Sequence, residues 1–575
     1  MQTASFSASA SAAPVLGVDA TEELRAVASR FAPADVARQR ALLDATATRA
    51  LTDPAALVAY HDTLLFMLAY PASAVLRALA ARELARVAAA ARVIDERGPA
   101  RTRARLRGSG LAWTSITIAF SYPIVRWFVA RAPQCADLDS FGARGDQLAA
   151  WLRAALPAAE FELLAAGEDD PAALVAAGIE GWRGGRLAWL VDRFARLPCD
   201  DTLREALWDS VQAFVVVRPG GTPWSRTFAR GGQAATYYHR TPLIRGVDAA
   251  AVIAAPLPPA RALTARERRS LVDAGRAVLA MLGRETDPIT YADVPRTRAC
   301  ELGRGVGIAL YSARPARRGA FDSHVGYLLF KNGVPVGYGG GWPFLGTCKI
   351  GINIFAAFRG GESAHLMASV LRAYAQLFHV ERFVVEPYQF GAGNREGLAS
   401  GAFWFYYRLG FRPVDPALRV LAQDEFARMA RETGYRSPLT VLRRFTRSDL
   451  ECRVRAEATP ACDAAALSHA ASAWIAARFH GRRERAEARA LRLVASALRL
   501  GDLRRWRDAE RDALRGWAPV LAQIDDLRRW PIADKRRLAA MIRAKGGDEY
   551  RYYARMAGFA RLRASLDCIA ARAGS

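Results

Sequence analysis

The amino-acid sequence predicts an α/β domain near the middle of the chain, a mixed, mostly antiparallel sheet with flanking helices, set between two all-α regions. Three observations carry that expectation. Between residues 295 and 415, short β-branched and aromatic runs alternate with glycine-rich turns, and Asn332-Gly333 is the strongest two-residue hairpin signal a sequence offers. On either side, apolar residues recur at three-and-four spacing, the period of an amphipathic helix. Within the central stretch, one strand-like run ends in Arg359-Gly360-Gly361 and a helical run begins directly after it.

The central elements follow in order. VGIALYS (306–312) and HVGYLLFK (324–331) are strand-like, and VPVGYGGGWPF (334–344) returns from the Asn332-Gly333 turn, loosened by its glycines. KIGINIFAAF (349–358) is a further strand, HLMASVLRAYAQLF a helix, and RFVVEPYQF (382–390) a strand. A glycine-rich loop holding Asn394 leads to the helix GAFWFYYRLG and the short strand FRPV; TVLRRFTR (440–447) reads as one more strand. The domain is expected to span 295–450.

The N-terminal region, 20–290, is expected to be mostly helical, with Asp53-Pro54 and Tyr70-Pro71 at helix starts. Residues 1–19 lack the basic start and continuous apolar core of a secretory signal and read as a disordered small-residue tail. The most apolar window, 111–130, is long enough to span a bilayer. Its Pro123, Arg126 and hydroxyls point instead to a buried helical pair. Residues 218–260, rich in Gly, Pro, Arg and Tyr, are either an ordered loop over a site or a plain connector. Residues 451–575 form a basic helical region whose alternating charges suit a solvated helix surface.

A chain of 575 residues is expected to hold two to four domains, at about 100 to 200 residues each. Its formal charge is +25, from 81 Lys+Arg against 56 Asp+Glu, and only Lys331, Lys349, Lys535 and Lys545 are lysines. GC-rich bacterial codon usage accounts for arginine over lysine. The surplus over acids suits an anionic partner, such as tRNA or another nucleic acid, anionic lipid or a phosphorylated ligand. The seven cysteines are scattered without a CxxC pair, so neither a zinc site nor a disulfide framework is signalled, and a reducing cytoplasm fits them.

The turn at 359–364 carries the chemistry. A strand that ends in glycines and opens a helix leaves several backbone N–H groups without intrahelical acceptors, at the positive end of the helix dipole. That is a site for a diphosphate, and Gly360 and Gly361 let the backbone come close to it. Phe358-Arg359-Gly360, Ala364 at the end of the turn, and the later series Ala402, Tyr406, Gly410, Phe411 match two ordered motifs. On these residues, and on the order of elements, the central domain resembles the GNAT (GCN5-related N-acetyltransferase) superfamily over about a fifth of the chain.

The resemblance implies an acyl-CoA-dependent N-acyltransferase, acetyl transfer to an amine being the usual case, with acetyl-CoA or another acyl-CoA as co-substrate. It implies that Arg359, Gly360, Gly361, Ser363 and Ala364 hold the diphosphate. Strand amides at Ile354 and Phe355 would polarise the acyl carbonyl, and Asn394 would lie by the pantetheine arm. Tyr406 would protonate the departing thiolate, a step a phenol can perform. Among bases for the attacking amine, Glu386 on its strand is the best placed, with His324 second. The family's inner glycine falls at Glu362, whose carboxylate would oppose a diphosphate. Either Glu362 points away or the domain binds CoA poorly. The rival readings are an aminoacyl-tRNA-dependent transferase, which suits the positive charge, and a non-catalytic scaffold of the same fold.

Overall fold

The computed structural model describes residues 14–165, 170–232, 235–455 and 462–574. Most of the expected N-terminal tail lies outside them. From Pro14 onward the chain is engaged, since Leu16 is buried and its N–H donates to Ala50 O at 2.9 Å. The molecule divides into two compact units. One comprises Met1–Leu243, Asp273–Thr286 and Lys331–Pro335, and the other Ile244–Val272, Asp287–Phe330 and Val336–Ser575. No helix among the described residues is long and apolar enough to cross a membrane.

The first unit starts with the expected helices, among them Pro54–Ala69 and Ala74–Arg97. Asp53 caps the former by accepting Ala56 N–H at 2.8 Å, and Ser73 caps the latter through Leu76 N–H at 3.2 Å. The unit is not all-α, however. It holds a three-stranded sheet, β1 (Ile116–Ile118), β2 (Ala136–Phe141) and β3 (Ala213–Val217), with β3 in the middle. The apolar window is therefore a strand plus the helix Tyr122–Arg131 rather than a helical pair. Ile116 and Ile118 are β-branched and pair with Val217 and Val215. The helix Asp201–Val211 stops at Gln212, which is left-handed at φ 47°, and the run AFVVV continues as strand. The core is aromatic. Trp208 is buried and donates to Phe120 O at 2.9 Å, and Tyr122 donates to Val191 O at 3.0 Å, so each large ring is buried with its polar tip satisfied.

The second unit is built on an eight-stranded, mostly antiparallel sheet. Its strands are β4 (Arg298–Gly303), β5 (Val306–Tyr311), β6 (Val325–Lys331), β7 (Val334–Phe344), β8 (Thr347–Ile354), β9 (Arg382–Val385), β10 (Arg412–Pro413) and β11 (Leu450–Arg453). The spatial order is β4-β5-β6-β7-β8-β9-β11-β10, and β8 and β9 run parallel. Asn332 and Gly333 both have positive φ, 49° and 78°, as a two-residue hairpin of right-handed twist requires. The helix Ser363–Leu377 covers one face. Its Tyr374 donates to Val325 O, and a Cβ at Gly341 would come within 3.0 Å of that ring.

One expectation fails here. TVLRRFTR is the helix Leu439–Phe445, because Leu442 and Phe445 at i and i+3 share the buried side, Phe445 stacking on Phe403 at 3.9 Å. The strand comes later, at Leu450–Arg453, inserted between β9 and β10. The basic C-terminal stretch is helical from Ala464 as expected, but it belongs to the same compact unit as the sheet. Its helix Glu549–Met556 stacks Tyr550 on Phe378 at 5.3 Å, and buried Lys545 donates to Ser323 Oγ at 2.6 Å, Asp322 O at 3.1 Å and Glu549 Oε1 at 3.0 Å. Burial lowers the Lys545 pKa, and the Glu549 carboxylate opposes that shift.

Candidate functional site

The site grows out of the parting of β8 from β9. The two strands pair only over Thr347–Lys349 and Arg382–Val384, whereas β8 continues along β7 as far as Ile354. In the antiparallel β7–β8 ladder, the N–H groups of alternate β8 residues face away from β7. Phe355 N–H donates to Val336 O at 3.0 Å, so the flanking pair Gly337 and Ile354 is of the non-hydrogen-bonded kind. Ile354 N–H thus points to the side β9 has left, as does Ile352 N–H. The two amides expected to act together at Ile354 and Phe355 divide. Ile354 faces the opening, and the Phe355 amide is committed to β7.

Past β8 the chain makes a short 3₁₀ turn, Ala356–Phe358, and enters the glycine turn. Gly360 is left-handed at φ 84°, and Gly361 N–H returns to Phe358 O at 3.0 Å. The half-buried Ser363 and Ala364 open the helix Ser363–Leu377, where first-turn amides have no intrahelical acceptor. Arg359 is exposed and pairs with Glu396 at 2.5 Å.

Glu362 is fully buried. Its carboxylate lies 2.8 Å from Arg304 Nη2, in the β4–β5 turn, and accepts Ile244 N–H at 3.1 Å. Of the two alternatives for this residue, the structure takes the first, with the side chain turned into the protein against a guanidinium. The neighbouring Arg245 donates to the carbonyls of Gly360 and Gly361. The segment continues along the same helix, where Gln376 bonds the Ile253 and Ala255 carbonyls and accepts Leu257 N–H at 2.9 Å. The latter part of 218–260 is therefore an ordered strap on the turn and its helix. Its earlier part belongs to the first unit, where Thr227 accepts Ala112 N–H at 2.9 Å and meets His61 Nε2 at 3.1 Å.

Tyr406 is buried on the helix Ala402–Arg408, its ring against Phe411 and Phe405. Burial raises the phenol well above its ordinary range, and a hydrogen bond with the Ile352 backbone partly offsets this. The hydroxyl is thus protonated at neutral pH and sits on the edge of β8 that faces the opening.

Glu386 follows β9 and pairs with Lys349 Nζ at 3.0 Å, both side chains being half-exposed. That pair raises the Lys349 pKa, and Asp449 is raised too, by burial first and then by the Glu386 charge. His324 stacks on Trp342, centroids 3.8 Å apart and planes at 12°, and burial pushes its pKa down to about 4. Asn394 caps the short helix Arg395–Ala399. Its Oδ1 accepts Gly397 N–H at 3.0 Å and its Nδ2 donates to Tyr388 O at 3.0 Å, which uses both ends of the amide locally.

Sequence reasoning missed Lys349, Trp342 and Gln389. Gln389 lies over Gly351, where an added Cβ would fall 2.8 Å from its side-chain carbonyl carbon. The signal was available in the glycines inside the strands, which mark a close approach. No family model matches the chain, no curated protein matches it, and no solved structure matches it.

The His324 shift has a consequence for stability. An unfolded chain takes up this proton near pH 6.5 and the folded protein only near pH 4. Between those values the unfolded state binds more protons, so the contribution is complete above about pH 6.5 and is lost as pH falls to about 4. Melting temperatures of the protein and of His324→Gln between pH 4 and 7 are expected to converge at the acidic end. Parallel curves would show that His324 titrates alike in both states.

Proposed function

We propose that the second unit is an acyl-CoA-dependent N-acyltransferase. The observation that supports this most is the convergence of three features at the parting of β8 and β9: the Ile354 amide on the open edge, the Tyr406 hydroxyl at Ile352, and the glycine turn that opens the helix Ser363–Leu377. In this reading the amides of Gly360, Gly361, Ser363 and Ala364, with the Arg359 guanidinium, hold the diphosphate. Ile354 N–H polarises the acyl carbonyl, favouring the oxyanion that forms when the amine attacks. A new C–N bond forms and the C–S bond breaks. Tyr406 gives its proton to the thiolate, and the proton lost by the amine passes to Glu386, directly or through water. Lys349 keeps that carboxylate in place at 3.0 Å. Glu362 does not oppose the diphosphate here, because Arg304 neutralises it.

Calorimetry of the full chain against acetyl-CoA, longer acyl-CoAs and tRNA tests the proposal. Acyl-CoA is expected to bind, and Arg359→Ala to weaken it about tenfold, consistent with removal of one charge-assisted hydrogen bond worth about 1.5 kcal/mol. Heat with tRNA and none with any acyl-CoA would favour an aminoacyl-tRNA-dependent transferase. No binding of either would leave a non-catalytic scaffold.

A further inference from the structure

On the helix Asp508–Leu521 and its cap, Arg507 pairs with Glu510 at 2.9 Å, Arg515 with Asp512 at 2.6 Å, and Arg511 with Asp508. The preceding helix, Arg483–Leu498, is different. Arg485, Arg489 and Arg492 recur at four- and three-residue spacing, and Arg482 at its N-cap and Arg499 at its C-cap extend the row. At 100° per residue the five fall within an arc of about 100°, over a length of about 25 Å. All five are exposed, and none has a carboxylate within ion-pair distance among the described residues. The opposite side, Ala486, Ala490, Val494, Ala497 and Leu498, is buried.

Five like charges in a row repel one another, and a polyanion relieves that repulsion. We infer that this arginine row is a docking surface for the phosphate backbone of structured RNA. A membrane-surface helix would turn large apolar side chains outward beside its cations, and this helix exposes none. Arginine also reads guanine edges in the DNA major groove, so duplex DNA enters the test below as a competitor of RNA. A row of guanidiniums suits phosphates bound for shape and charge.

The test is fluorescence anisotropy of the full chain with labelled tRNA over a range of salt, beside the triple variant Arg485→Gln, Arg489→Gln, Arg492→Gln. A second triple variant in the first unit, Arg101→Gln, Arg105→Gln, Arg107→Gln, removes the same charge elsewhere. The row variant is expected to bind at least tenfold more weakly, and its plot of log K against log salt to be shallower by about 2, at about 0.7 to 0.9 for each phosphate no longer neutralised. The control variant is expected to keep most of the affinity and slope. Melting curves of the three proteins are expected to coincide, since every altered side chain is exposed. The proposal is overturned if the wild type does not bind tRNA or if both variants lose affinity equally. It is also overturned if phosphatidylserine vesicles or duplex DNA of the same length compete for the row better than tRNA does.

Discussion

Replacing Glu362 by alanine is expected to lower the stability of the protein by about 3 kcal/mol, the low end of what breaking a buried ion pair costs. The low end applies because Arg304 keeps a quarter of its side chain in solvent, 26% exposed, and can partly rehydrate, whereas Glu362 has no exposure at all. The loss has two parts. The Arg304 guanidinium is left beside a cavity, and the Ile244 N–H loses its acceptor. Glu362→Gln keeps an oxygen for Ile244 and removes only the charge, so its cost is expected to lie between wild type and alanine. Denaturant melts of Glu362→Ala, Arg304→Ala and the double variant give the coupling directly, and the double variant is expected to be little worse than Glu362→Ala. A loss under about 0.5 kcal/mol would mean that the pair is a surface interaction of small net worth. The sequence alone suggests that removing this carboxylate tightens diphosphate binding. Its neutralisation by Arg304 reverses that expectation, and CoA affinity should stay level or fall as the turn loosens.

The partners of Glu362 also mark where the sequence stops being legible. Arg304 and Ile244 lie far from it along the chain, and no periodicity or turn signal links the three. The long strands β6, β7 and β8 are legible because an alternating or continuous apolar run, ended by Asn332-Gly333 or by glycines, leaves few other structures open. β11 is not, because Leu-Glu-Cys-Arg is short and half charged. Its Glu451 is made tolerable by Arg382 at 2.9 Å and Arg453 at 3.0 Å, pairings that exist only once the sheet is assembled. The first-unit sheet was hidden for a related reason: Ile116–Ile118 is too short to show a period beside the helix that follows. Asn394-x-x-Gly397 before a short helix is a cap pattern in its own right, legible in the sequence beside the position Asn394 takes in the resemblance.

Tyr406→Phe is expected to lower kcat about 100-fold, the lower bound of what a positioned general acid contributes, while leaving CoA affinity nearly unchanged. The phenylalanine ring keeps the edge packing with Phe411 and Phe405, so the helix Ala402–Arg408 has no reason to move. What disappears is the hydroxyl at Ile352. Its absence costs stability on the order of 1 kcal/mol, since one hydrogen bond near the strand edge goes unmade. In the proposed reaction the hydroxyl would matter only when negative charge reaches the sulfur, and an interaction made only in the transition state lowers kcat without raising KM. The direction of its pKa adds a second readout. Burial raises this phenol, so the acid form persists into the alkaline range. The wild type is therefore expected to lose no activity to Tyr406 ionisation below about pH 10, the ordinary phenol value. A variant with unaltered kcat and a lowered melting temperature would make Tyr406 a residue that packs and braces β8, and the thiolate would then take its proton from water.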